Sequence, residues 1–146
     1  MPKKEPLKGT YCLLIHLKQD SKITIGKLGE KNFQKGYYIY VGSALNSLKT
    51  RIQRHLRKEK KIHWHIDYLL NNENAEIIEV IYTISDIKWE CKIAATIAET
   101  GIEVVNFGCS DCKCNSHLLY FEKYPESRKT CINSLKKYDL KVNYFE

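Results

Sequence analysis

The stretch Gly36–His55, GYYIYVGSALNSLKTRIQRH, reads as an aromatic strand, a glycine turn and then a basic helix. Residues two apart on a strand share a face, which puts Tyr38 and Tyr40 on one side and Tyr37, Ile39 and Val41 on the other. Gly42 ends the aromatic run where the backbone must turn, a place that suits a residue without Cβ. Ser43 follows, and Leu48, Ile52 and Leu56 then recur at helical spacing. At ~100° per residue with Leu48 at zero, Ile52 and Leu56 fall at ~40° and ~80°, His55 at ~340° and Arg51 at ~300°. His55 and Arg51 therefore border the apolar stripe, while Arg54, Arg57 and Lys61 lie farther round, in solvent. A guanidinium at the edge of a core, just after a Tyr-rich strand, can be held rigidly and still meet a ligand.

Working outward, Tyr11–Leu17 alternates, with Tyr11, Leu13, Ile15 and Leu17 on one face, and is predicted as a strand. Ile23–Ile25 is a short β-branched run before Gly26 and Gly29 and gives a small extra strand. Pairing of these with Tyr37–Val41 predicts an antiparallel meander. The basic helix is expected over Ala44–Lys60, and a second helix carries Ile66, Leu69 and Leu70. A strand over Ile77–Ile84 and a third helix over Ile87–Thr100, stopped by Gly101, come next. Val104–Phe107 and Leu118–Phe121 read as short strands around a Cys-rich loop, and a tail helix opens near Pro125. The expected class is α/β of the α+β kind: a small, mainly antiparallel central sheet flanked by helices, with an extra N-terminal hairpin strand and a C-terminal strand–helix extension.

A chain of 146 residues fits one domain, long enough to bury about 68–70% of the unfolded chain's surface. Its core is expected over about residues 9–100, with the Cys-rich loop, strand and tail helix over 101–146. The net charge of +7 favours an anionic partner. The opening MPKKEPLK lacks an apolar h-region, so no signal peptide is expected. No apolar run approaches the ~18 residues of a membrane span. Without an export signal, the six cysteines are expected as thiols or metal ligands rather than a disulfide framework. A cytoplasmic location follows.

Glu90 is out of place for a surface carboxylate. On its helix, at ~100° per residue with Trp89 at zero, Ile93, Ile97 and Ala94 fall at ~40°, ~80° and ~140°, and Glu90 at ~100°, inside the apolar stripe. An ionised carboxylate buried there must neutralise or find a cation. It either answers the helix dipole from the first turn or holds a metal. Ile87, three residues earlier, cannot complete a capping box.

Two further clusters stand out. His63-Trp64-His65-Ile66-Asp67 sets His63 and Asp67 one helical turn apart, either as an N-terminal helix cap with Trp64 in the core or as one wall of a substrate groove. FGCSDCKCNSH sets Cys109, Cys112, Cys114 and His117 at C-x₂-C-x-C-x₂-H spacing. Three thiols and an imidazole suit tetrahedral Zn²⁺. A buried thiol cluster or a redox-active pair are the alternatives, and His117 then simply begins the next strand.

Tyr40-Val41-Gly42, followed by Arg51 and His55, resembles the second half of the GIY-YIG nuclease signature, and Gly9-Thr10-Tyr11 resembles the first. Thr10 stands where that motif has isoleucine, and Gly42 is one residue farther from Arg51 than in some members. GYYIYVGSA, HWHIDYL, the Glu90-Cys91 helix and SDCKCNSH resemble a mainly archaeal branch of the same family, so the likeness runs from about Gly9 to Phe121. It implies a sheet presenting two tyrosines, a helical arginine and a later helical glutamate around one divalent metal, Mg²⁺ or Mn²⁺. On that likeness Glu90 holds the metal and Arg51 contacts the scissile phosphate. Tyr11 orients or deprotonates the attacking water, Tyr40 positions the phosphate or polarises Tyr11, and His55 bridges to the phosphate or the leaving oxygen.

Between Lys49 and Lys61 stand seven Lys or Arg against one Glu. Lys49, Arg54, Arg57, Lys58 and Lys61 are expected to touch flanking phosphates, giving affinity and salt dependence without sequence specificity. The expected function is a metal-dependent DNA endonuclease with weak sequence preference, in repair or recombination. A non-catalytic nucleic-acid-binding module and a zinc-stabilised accessory domain for a DNA-repair partner are the rivals.

Overall fold

The computed structural model describes residues 7–108 and 115–146. Its centre is the pair formed by β1 (Gly9–Leu17) and β4 (Gly36–Ala44), antiparallel along their whole length from Gly9↔Ala44 to Leu17↔Gly36. Both strands are covered on both faces, which is why GTYCLLIHL is apolar at nearly every position instead of alternating. β5 (Ala75–Ile84) flanks β1, and a register shift between Leu14 and Ile15 leaves Ile78 as the extra residue of a bulge. With β6 (Ile102–Glu103), β7 (Leu118–Phe121) and β8 (Asn143–Tyr144), the six-stranded order is β6-β7-β4-β1-β5-β8, every neighbouring pair antiparallel. β2 (Ser21–Thr24) and β3 (Glu30–Phe33) form a separate hairpin.

The period-two pattern decides what covers each face. Tyr11, Leu13, Ile15, Leu17, Tyr38 and Tyr40 pack with α1 (Leu48–Leu56), α2 (His65–Leu70) and the β2–β3 hairpin. Cys12, Leu14, Ile39, Val41 and Ile81 pack with α3 (Glu90–Ala98) and α4 (Tyr124–Lys137). The result is a mixed α+β fold, a mainly antiparallel sheet between two layers of helix. Among the described residues, no helix is long and apolar enough to cross a membrane.

Several boundaries differ from expectation, each for a local reason. The run Ile23–Ile25 does not join a meander with β4; it belongs to the separate hairpin, whose second strand, Glu30–Phe33, has too few β-branched residues to stand out. α1 begins at Leu48 rather than Ala44, because Ala44 still pairs with Gly9 and Ser47 caps the helix by accepting the Thr50 N–H. It ends at Leu56, where Arg57 turns extended and Lys60 Nζ donates to the His55 carbonyl at 3.0 Å. Arg57, Lys58 and Lys61 therefore lie beyond the helix. α3 starts at Glu90 rather than Ile87, since Ser85 Oγ accepts the Ile87 amide and the Trp89 indole N–H, both at 3.1 Å, in a preceding turn. Val104–Phe107 is a turn, not a strand; the edge strand is Ile102–Glu103.

Candidate active site

Tyr11 faces Gly42 across the β1–β4 pair, and its ring lies over that glycine. A Cβ at position 42 would come within 2.5 Å of the Tyr11 ring and hydroxyl. Gly42 thus does not end the strand, as expected from its position; it sits inside β4 and is small so that the phenol can cross it. Gly42→Ala is expected to cost about 1–3 kcal/mol by overpacking. In a Tyr11→Ala background that clash disappears, so the same substitution should cost much less; urea denaturation of the three variants measures the difference.

The Tyr11 hydroxyl is 2.7 Å from His55 Nε2. His55 is buried behind Tyr11 and Trp64 and does not itself line the adjacent cleft, so it is not in the substrate-bridging place expected of it. Burial pushes its imidazole down to about 3, with Arg54, Arg51 and Lys60 adding to the shift and Asp67 opposing it. His55 is neutral at physiological pH. Among the described residues its Nδ1 has no partner. Burial raises the Tyr11 phenol above its ordinary range, and the Arg51 guanidinium works against that rise. Tyr40 is raised in the same way, burial first.

Arg51 is fixed on two sides. Nη1 donates to the Ser43 carbonyl at 3.2 Å, and the guanidinium lies 4.5 Å from the centre of the Trp64 ring. Arg54, expected in solvent, lies over the same ring at 4.3 Å and forms a bidentate pair with buried Asp67 at 3.0 and 2.9 Å. Asp67 also accepts the His63 and Trp64 amides, each at 2.9 Å. Burial pushes the Asp67 carboxyl up, but Arg54 and those amides outweigh it and hold it low. The HWHID cluster is thus a helix cap, with Trp64 serving as a shelf for two arginines, and it also walls the adjacent cleft, which His63, Trp64 and His65 line.

Tyr11, Tyr40, Arg51 and Glu90 line one cleft of about 280 Å³ at this end of the sheet. His65, Lys88 and His117 line it as well. His65 Nδ1 accepts the Gly108 amide at 2.9 Å, so its ring proton sits on Nε2. Lys88 belongs to no motif in the sequence; its only signal there is its place two residues before Glu90. Of the expected phosphate contacts, Lys49, Arg57, Lys58 and Lys61 are exposed. His117 Nε2 lies 3.6 Å from Cys91 Sγ. Cys109, Cys112 and Cys114, expected to join His117, lie outside the described residues.

A larger groove of about 630 Å³ runs between the hairpin and the β6–β7 edge, walled by Phe33, Tyr38, Ile102, Val104 and Tyr120. Asp20, Lys22, Tyr38 and Tyr120 also line it, but there Asp20 accepts the Lys35 amide and the two phenols donate to the Gln34 and Lys35 carbonyls, each at 2.7 Å. The smaller cleft combines a seated guanidinium for an oxyanion, a half-buried carboxylate for a hard cation and two phenols.

Fold and cleft together describe an antiparallel α+β domain with an acidic, cationic and phenolic site at one end of its sheet. The chain belongs to the family described as "Domain of unknown function DUF123", whose sequence profile matches residues 10–140. No curated protein and no solved structure matches it.

Proposed function

We propose that the chain is a metal-dependent endonuclease of the GIY-YIG type, hydrolysing DNA phosphodiester bonds with weak sequence preference. The observation that carries this reading is that Tyr11, Tyr40, Arg51 and Glu90, from four different elements, line a single cleft. Glu90 suits a hard cation. It is half-buried at the cleft and, among the described residues, makes no hydrogen bond or ion pair, and Mg²⁺ needs only one or two carboxylates besides water and substrate oxygens. Mg²⁺ or Mn²⁺ carried there would neutralise phosphate charge and acidify a water.

The chain's own groups divide the remaining work. Arg51, seated by Ser43 and Trp64, offers its other N–H donors to the scissile phosphate. Tyr11 orients the attacking water. Its phenol is too basic to ionise unaided at neutral pH, so a general-base role draws on positive charge beside it. His55 fixes the Tyr11 hydroxyl without touching substrate, and Tyr40 presents its own to a phosphate oxygen. The exposed Lys49, Arg57, Lys58 and Lys61 hold flanking phosphates. A structural zinc on Cys109, Cys112, Cys114 and His117 belongs to the same reading.

The test is nicking of supercoiled plasmid, and cutting of a branched-DNA panel, with Mg²⁺ or Mn²⁺. Metal-dependent cutting that Glu90→Ala and Arg51→Ala both lose is the expected result. Cutting that survives both substitutions overturns the site, and tight DNA binding without cutting on every substrate favours a binding module.

A further inference from the structure

His55, the imidazole expected to meet a phosphate, is shut behind Tyr11, yet His63, His65 and His117 line the cleft. They differ in what holds them. His117 Nε2 already faces Cys91 Sγ at 3.6 Å. His63 is exposed and packs its ring edge-on against Trp64, 4.8 Å between centres. His65 is held by the protein on one ring nitrogen and open on the other.

His65 opens α2, on the turn that Asp67 fixes by accepting the two preceding amides. Trp64, directly before it, carries the Arg51 guanidinium at 4.5 Å. The His65 ring stands edge-on to buried Phe107, 5.7 Å between centres, and its Nδ1 accepts the Gly108 amide at 2.9 Å. Gly108 has a φ of 73°, and a Cβ there would come within 3.4 Å of the Tyr40 ring and 3.2 Å of the His117 Cβ. The hydrogen bond therefore ties His65 to the wall of the cleft that carries Tyr40.

That bond decides the chemistry. With Nδ1 accepting, the ring proton sits on Nε2. Among the described residues Nε2 has no hydrogen-bond partner, and it is not one of the polar atoms sealed from solvent. A second proton would have to enter at Nδ1, against the Gly108 N–H. Burial, with Lys31 adding to it, also lowers the imidazole's affinity for that proton. The ring is a neutral donor of fixed direction, not a proton shuttle.

We propose that His65 is a further catalytic residue of the cleft, its Nε2–H donating to a phosphate oxygen of the bound strand. The inference rests on the reading of the cleft as a phosphodiester site. Arg51 brings charge to the phosphate; His65 adds a directed hydrogen bond that strengthens as negative charge builds on the phosphate oxygens in the transition state. The contact expected of the α1 histidine is thus made by an imidazole ten residues farther along the chain.

Two substitutions separate the two ring nitrogens. His65→Asn keeps an acceptor near the place of Nδ1 and loses the reach of Nε2, whereas His65→Gln keeps a donor near Nε2 and loses the Gly108 anchor. In plasmid nicking, His65→Asn should lower kcat about 10²-fold with KM and the urea midpoint nearly unchanged, and His65→Gln should stay within about tenfold of wild type at a lower midpoint. His65→Asn cutting at the wild-type rate overturns the proposal. So does His65→Gln proving the slower of the two where both are folded, because the ring would then serve only to hold the Gly108 turn. A second readout needs neither cutting nor a variant. In the ¹⁵N spectrum of the labelled full-length chain, a short DNA duplex with Ca²⁺ in place of Mg²⁺ should shift the His65 Nε2–H resonance and leave Nδ1 unprotonated. A resonance that saturating duplex leaves unmoved overturns the proposal. The shift in a chain that cuts no substrate would leave the His65 contact standing and overturn the nuclease reading; cutting with an unmoved His65 would do the reverse.

Discussion

Asp67→Ala is expected to destabilise the fold by about 3–5 kcal/mol, the cost of breaking a buried ion pair from one side. Asp67 is fully buried and Arg54 only 19% exposed, so water cannot replace the lost partner. The substitution leaves a guanidinium with the Lys61 carbonyl and the Trp64 ring alone, and it orphans the His63 and Trp64 amides at the start of α2. Asp67→Asn keeps the shape but loses the charge, and should fall between the two. Replacing both partners with apolar residues, Asp67→Leu with Arg54→Met, should cost less than Asp67→Ala alone. Denaturant midpoints of the variants measure the effect.

The pH dependence of that pair has a definite sign. The Asp67 carboxyl is held below its ordinary value of 3.8, so its contribution is present above that pH and is lost as pH falls through the lower folded value. His55 acts over a higher window. Its unfolded form takes a proton near 6.5, while its folded form resists protonation down to about 3. Stability therefore begins to fall below about pH 6.5, before Asp67 contributes. His55→Phe should remove the earlier part of the acid limb and leave the later part.

What the sequence revealed was what depends on near neighbours. The alternation of Tyr11–Leu17 and Tyr37–Val41 placed the two central strands and sorted their faces correctly, because the same period decides which core each side chain enters. Leu48 and Ile52 likewise set the buried stripe of α1. The helix boundaries shifted for local reasons, but the larger misreadings involve a partner distant in sequence. Arg54 looked solvent-exposed on a helical wheel, which cannot show an aspartate thirteen residues on. Gly42 looked like a turn because the ring that needs its small size comes from another strand. β8 is two residues long and exists only because β5 offers an edge. His55 was placed at the rim of the stripe, but Trp64 and Tyr11 close over it.

Tyr11→Phe is expected to reduce DNA cutting by about 10²–10⁴-fold, the usual reach of a positioned proton-transfer group, while leaving DNA affinity nearly unchanged. The affinity should persist because the cations proposed to hold phosphates, Arg51 and the exposed lysines, are untouched. The phenylalanine ring still fits over Gly42, so the loss is one of chemistry rather than packing. Some stability is also lost, about 1–3 kcal/mol, because His55 Nε2 then has no partner in a buried place. His55→Gln provides a contrast. An amide can still hydrogen-bond the Tyr11 hydroxyl, so cutting should fall far less than in Tyr11→Phe, whereas His55→Phe, which strands that hydroxyl, should approach it. Because His55 is neutral down to about pH 3, the pH–rate profile of wild type should show no inflection from it near 6.5. If His55→Gln abolished such an inflection, the imidazole would be exchanging protons during turnover; if the profiles coincide there, it acts by holding the phenol in place.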